Sequence, residues 1–288
     1  MRALILATAL TIGAAPPSYR ADLDKYRHDR VTELTAPDGW LAVRGLFWLH
    51  EGENTAGSDS SNDITLPGRT AKRIGVFHVR QRDVSFDADA AAVVTDGIGH
   101  RINATSFTRE ESTIETSGVT ISVIRRGDKT GLRMWDPESP HRTQFQGLKY
   151  FPLDSAYHVH AKFVPYDKLK PVQVPNVLGQ LVTMQSPGVV EFKIKDQTYR
   201  LEPVYETPKH EDLFFIFKDL TSRTETYEAG RFLHTPLPKA GVVDLDFNRA
   251  YNPPCAFTEF ATCPLPIKEN QLPIRIPAGE LRYHVSDR

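Results

Sequence analysis

Val243-Asp244-Leu245-Asp246-Phe247-Asn248-Arg249-Ala250-Tyr251-Asn252-Pro253-Pro254-Cys255-Ala256-Phe257 begins as an alternation and ends as a corner. From Val243 to Asn248 apolar and polar residues alternate with the period of a β-strand, which would bury Val243, Leu245 and Phe247 and turn Asp244, Asp246 and Asn248 to the opposite face. Two carboxylates on that face would sit roughly 7 Å apart at their Cα atoms. Pro253 and Pro254 then remove two ladder donors, so the strand cannot continue through them. Asn252, placed before a proline, is pushed toward an extended conformation that frees its side chain for backbone groups or a ligand. Thr262-Cys263-Pro264 and Asn270 follow closely, so the segment concentrates carboxylates, carboxamides, prolines and both cysteines of the chain.

The pattern on either side of this segment is also β. Short runs divided by Gly, Pro, Asn and Asp read as strands at Leu41–Leu49, Ile74–Arg80, Val84–Phe86, Ala92–Thr95, Thr113–Glu115 and Thr120–Arg125. They resume at Tyr157–Val164, Val189–Ile194, Gln197–Pro203, Leu213–Phe217 and Val242–Phe247, with Asp196-Gln197 as a two-residue hairpin turn. A single helix is expected within residues 20–36: Leu23, Tyr26 and Leu34 share one side from Asp22 to Leu34, and Pro37-Asp38-Gly39 stops it. The expected fold is mainly β, with this N-terminal helix followed by two consecutive antiparallel units. They are a sandwich-like one over 37–138 and a barrel-like one over 141–285, joined at the proline-rich Trp135–Pro140.

With 40% hydrophobic and 25% charged residues among 288, the chain has the composition of a globular protein. Thirty-five basic against thirty-six acidic residues leave no field that would attract nucleic acid, which is not expected as a partner. One arginine and the apolar run Ala3–Ala15 make residues 1–15 read as a signal peptide, too short to span a bilayer, with Gly13-Ala14-Ala15 for cleavage and Pro16 against it. The expected location is therefore periplasmic or secreted, with the cytoplasm as the alternative, and no membrane insertion once the leader is removed. In an oxidising compartment Cys255 and Cys263 would form a disulfide; closing so small a loop, it would contribute about 2–3 kcal/mol.

Asp246 and Asp244 are the candidate general bases. Arg231, which follows Gly230, is the candidate partner for Asp246 or for an anionic ligand. Asn248, Tyr251, Asn252, Tyr227 and Asn270 complete the candidate ligand set, with Phe257 as a further aromatic wall. The calcium-loop pattern fails, because Arg249 stands where glycine is needed and Cys255 where the terminal glutamate would be. His158 and His160 fall on one strand face, yet Phe163-Val164-Pro165 follows where a further ligand would be wanted, so no metal and no cofactor are expected. No Gly-x-Ser-x-Gly elbow is present, and Ser186-Pro187-Gly188 does not substitute for one. Three readings follow: a module that binds a small polar or anionic ligand; an enzyme of hydrolase or lyase type with Asp244 or Asp246 as base and Arg231 or Asn252 opposing developing charge; or a structural corner.

Phe145–Pro152, Glu225-Thr226-Tyr227, Gly230–Leu233, Asp246–Phe257, Ala261–Pro266, Asn270 and Ala278-Gly279-Glu280 together resemble the bacterial and archaeal domain of unknown function 1684, over nearly all of Trp40 to Tyr283. That resemblance implies a shared fold and site but no established activity. In the first half, Gly57–Pro67 is similar to the opening of a forkhead-associated domain, which implies a β-sandwich. Lys72-Arg73-Ile74-Gly75 stands where such a domain has Ser-Arg-x-x-His, so phosphopeptide binding is not carried over.

Overall fold

The computed structural model describes residues 17–108 and 112–283, so the signal-peptide reading of residues 1–15 lies outside the described residues. Helix α1 (Pro17–Thr35) is followed by ten strands: β1 (Val43–Trp48), β2 (Gly52–Gly57), β3 (Ile64–Thr65), β4 (Gly75–Arg80), β5 (Asp83–Ala88), β6 (Thr95–Asp96), β7 (Ala104–Ser106), β8 (Thr113–Thr116), β9 (Val119–Arg126) and β10 (Lys129–Trp135). They form two five-stranded sheets, β1-β10-β9-β8-β6 and β3-β2-β4-β5-β7. Phe77 and Phe86 from one sheet meet Ile121, Val123, Leu132 and Met134 from the other in one buried cluster. The first half is thus the expected sandwich, and Ile74 lies in its core.

A short helix, α2 (Pro140–Thr143), leads into β11 (His158–Pro175), β12 (Leu181–Ile194), β13 (Gln197–Leu201), β14 (Asp212–Phe217), β15 (Arg231–Pro236) and β16 (Val242–Asp246). These make an open four-stranded sheet, β13-β12-β11-β16, and a β14-β15 ribbon; the barrel-like expectation is corrected to open sheets with no closed barrel among the described residues. Val243, Leu245 and Phe247 are fully buried against Phe192, Phe215 and Phe217, as the alternation requires.

Two local details differ from the sequence reading. The β12–β13 turn is Lys195-Asp196, one residue earlier than expected, with both residues left-handed (φ 49° and 63°) as a tight hairpin turn requires. The β11–β12 hairpin runs far past Val164, because Pro165, Pro171 and Pro175 lie beyond the end of β11's pairing with β16 at Lys162. Among the described residues no strand pairs with that edge past Lys162, and where the segment around Pro264 reaches it the Leu265 N–H donates to the Pro175 carbonyl, so the missing proline N–H groups break no ladder.

Candidate functional site

The polar face of β16 divides in two. Asp244 stays open, with His158 Nε2 at 2.6 Å and His160 Nδ1 at 3.5 Å from its Oδ1. With Pro236, Leu237, Lys239 and Val242, His160 and Asp244 line an open cavity of about 360 Å³. Among the described residues no group of three or more His, Cys, Asp and Glu is arranged to hold a metal ion.

Asp246 and Asn248, expected on the same exposed face, are buried instead. The strand ends at Asp246, and Asp246 caps the tight turn Phe247–Arg249 by accepting from the Asn248 backbone N–H at 3.0 Å. Helix α1 lies over this face, its Tyr19 hydroxyl donating to Asp246 Oδ2 at 2.8 Å. Asn248 Nδ2 donates to Asp246 Oδ1 and to the Asp154 carbonyl, and Arg249 joins Asp246 to Asp22 of α1. Asp246 is therefore enclosed and fully engaged. Desolvation and the Asp246 charge push the Tyr19 hydroxyl well above its ordinary pKa, so it remains a donor.

Arg231 does not meet Asp246. It is completely buried and donates to Asp219 Oδ1 at 3.1 Å, to Ile276 O at 3.0 Å and to Ala278 O. Gly230 makes the entry possible: a Cβ there would stand 2.6 Å from Phe217 O, at φ +114°. Asn270 is also internal, accepting from Glu202 N–H and donating to Glu202 O and Ile216 O. Asn270→Ala would strand three buried backbone groups, and a loss of about 2–3 kcal/mol is expected in urea unfolding; a loss below half of that would remove Asn270 from this bracing role.

Tyr227 is half-buried and donates to Cys255 O at 3.2 Å, and burial pushes its hydroxyl up to about 12. Cys255 and Cys263, expected as a bridge, stand as two free thiols, with the Cys255 N–H donating to Cys263 Sγ at 3.1 Å.

Beneath α1 the corner meets the expected helix side of Leu23, Tyr26 and Leu34, to which the structure adds Tyr19 and Arg30, missed in the sequence. Tyr19, Leu23, Tyr26, Arg30 and Leu34 recur at spacings of four, three, four and four, which puts them on one helix face. The stripe is partly polar, so a count of apolar residues finds Leu23, Tyr26 and Leu34 but not Arg30. Arg30 Nε donates to Glu280 Oε1 at 3.2 Å and its Nη2 to Asn252 O at 2.9 Å, and its guanidinium lies 4.6 Å from the Tyr251 ring centre. Glu280 Oε2 accepts from the Asn252 N–H at 2.8 Å. Burial pushes the Glu280 carboxyl above its ordinary pKa, opposed first by Arg30 and then by the Asn252 N–H. Gly279 allows the tail to come this close: a Cβ there, at φ +81°, would be 2.4 Å from Ala250 O. Tyr26 donates to Arg249 O, and Arg27 packs 4.2 Å over the Tyr150 ring. Four buried polar atoms in this cluster reach no protein partner: Arg27 Nε and Nη2, Tyr150 OH and Asn252 Oδ1.

The residues that build this corner, from the approach to β11 through the Glu280 tail, are also those that tie the chain to other proteins. Residues 143–281 match the family model described as Protein of unknown function (DUF1684). This is the family of the motif resemblance, over a shorter span than the resemblance from Trp40 implied. A solution NMR structure of an uncharacterised protein of Haloarcula marismortui is 25% identical, covers 50% of this chain and 80% of its own, and superimposes with a TM-score of 0.40. No curated protein matches the chain. Among the described residues no helix is long and apolar enough to cross a membrane.

Proposed function

We propose that this protein binds a small hydroxyl-bearing anion beneath α1, between Arg27, Tyr150 and Asn252. The observation that carries the reading is the set of buried polar atoms without a protein partner, two donors on Arg27, the Tyr150 hydroxyl and the acceptor Asn252 Oδ1. Folded proteins pair nearly all such groups, and an orphaned one costs about 1–3 kcal/mol. The chemistry of the set selects the ligand: guanidinium N–H groups take a carboxylate or phosphate oxygen, and a carboxamide oxygen takes a hydroxyl proton. Two arginines against the single Glu280 carboxylate leave one positive charge for a monoanion. Tyr251 and Asn252, both in the ligand set expected from the sequence, border the cluster, whereas Arg231, Asn248 and Asn270 spend their hydrogen bonds on other parts of the fold. The leader-like run Ala3–Ala15 supports export, with the ligand met in the periplasm or outside the cell.

The test is a melting screen against hydroxycarboxylates and inorganic phosphate. A true ligand at about 100 times its Kd stabilises by about 2.7 kcal/mol. Arg27→Met is expected to weaken binding at least tenfold while leaving the unliganded protein folded, since Arg27 makes no hydrogen bond that the fold needs. Equal affinity in the Arg27→Met variant would sink the reading.

A further inference from the structure

The second chemistry-bearing cluster lies on the other side of the corner. Cys255 and Cys263 are the two cysteines of the chain, and the Cys255 N–H donates to Cys263 Sγ at 3.1 Å, which sets the two residues side by side. Arg133 of β10 approaches from the first half with 5% of its surface exposed, stacked 4.8 Å from the Trp40 ring, and its Nε and Nη2 reach no protein partner. Its charge acts on both thiols. A buried guanidinium whose Nε and Nη2 have no protein acceptor is costly unless negative charge nearby balances it.

The two sulfurs are not equivalent. Cys255 is half-buried, whereas Cys263 is 5% exposed. The hydrogen bond from Cys263 draws the Cys255 thiol down against the opposing effect of burial, with Arg133 adding to the lowering; the same bond and burial push Cys263 up. The reachable sulfur is thus also the one that ionises.

We propose that Cys255 and Cys263 are a redox-active dithiol that exchanges with disulfide substrates, Cys255 attacking and Cys263 resolving. The Cys255 thiolate attacks one sulfur of the substrate, the substrate S–S bond breaks, and one substrate sulfur leaves as a thiolate that takes up a proton. Cys263 then gives up its proton and attacks Cys255 Sγ; the mixed disulfide breaks and the second substrate sulfur leaves. Two cysteine thiols are oxidised by two electrons, and one substrate disulfide becomes two thiols. Arg133 stabilises the thiolate before attack and again as Cys255 departs in the reverse direction. This inference is independent of the ligand reading beneath α1.

Oxidised glutathione is the probe, applied to the full chain at neutral pH, followed by acid quenching, alkylation and intact-mass measurement. The wild type is expected to lose both alkylatable thiols and two hydrogens, and to recover them in reduced glutathione. Cys263→Ser is expected to stop at a mixed glutathione disulfide on Cys255, and Cys255→Ser to react at least tenfold more slowly, because its remaining thiol is buried and protonated. Arg133→Met in the Cys263→Ser background is expected to slow trapping about tenfold at pH 7. Should the Arg133 variant fail to fold, the pH profile of trapping in Cys263→Ser decides, with a midpoint below the free-thiol value of about 8.5 expected. Two thiols that survive oxidised glutathione, a bridge that resists reduced glutathione, or a profile centred at or above the free-thiol value would each overturn the proposal.

Discussion

Replacing Asp219 by alanine is expected to destabilise the protein by about 3–5 kcal/mol in urea unfolding. Asp219 and Arg231 are both completely buried at their side chains, 3.1 Å apart. Burial holds the Arg231 guanidinium below its ordinary pKa and Asp219 opposes that effect, so removing the carboxylate leaves a cation with no anion in a closed interior. The carboxylate also accepts from Thr221 Oγ1 at 2.8 Å and from the Ile276 N–H at 2.7 Å, so the turn after β14 and the C-terminal tail lose a shared anchor. Asp219→Leu with Arg231→Met is expected to recover part of the loss, because an apolar pair removes the unpaired charge but leaves the Thr221 and Ile276 N–H groups without an acceptor and the Ala278 carbonyl without the Arg231 donor. A loss below about 1 kcal/mol in the single variant would show that the pair does not hold the core together.

Arg30→Met is expected to destabilise the protein more at pH 8 than at pH 5. Glu280 is fully buried, and burial raises its folded-state pKa above the unfolded value, so its contribution to stability is fully present below the unfolded carboxylate range and is lost as pH rises through the folded pKa. Arg30 is the largest influence opposing that rise, and its removal widens the window in which stability falls. Each further tenfold tightening of the proton on the folded-state carboxyl adds about 1.4 kcal/mol to the loss on the alkaline side, and a total near ~3 kcal/mol is expected at pH 8. Glu280→Gln added to Arg30→Met should remove the pH dependence, since the amide does not ionise. Stability measured by urea unfolding at the two pH values checks this, and equal losses at pH 5 and pH 8 would refute it.

The contacts behind these two effects span very different distances along the chain, which is why only some of the site was legible in advance. Val243, Leu245 and Phe247 announce themselves by local alternation, and the sheet buries them as that alternation demands. Asp246 has the same local signal as Asp244, yet one is enclosed and the other open; the difference is α1, whose Tyr19 lies 227 residues away. Arg231 after Gly230 invited pairing with a carboxylate such as Asp246, but the register of β15 against β14 sets it beside Asp219. The expected strand Tyr157–Val164 stops short of the β11 prolines because pattern reading does not know which side of a strand is left unpaired.

The sequence by itself determined the mainly β fold, the N-terminal helix, the strand-then-corner form of Val243–Cys255 and the family resemblance, because each is written in periodicity, proline placement or motif over short spans. The tertiary structure decided which polar residues of that motif are enclosed and which stay open. A buried charge is defined by the partners that surround it, and those partners arrive from α1, β10, β14 and the tail, far apart along the chain.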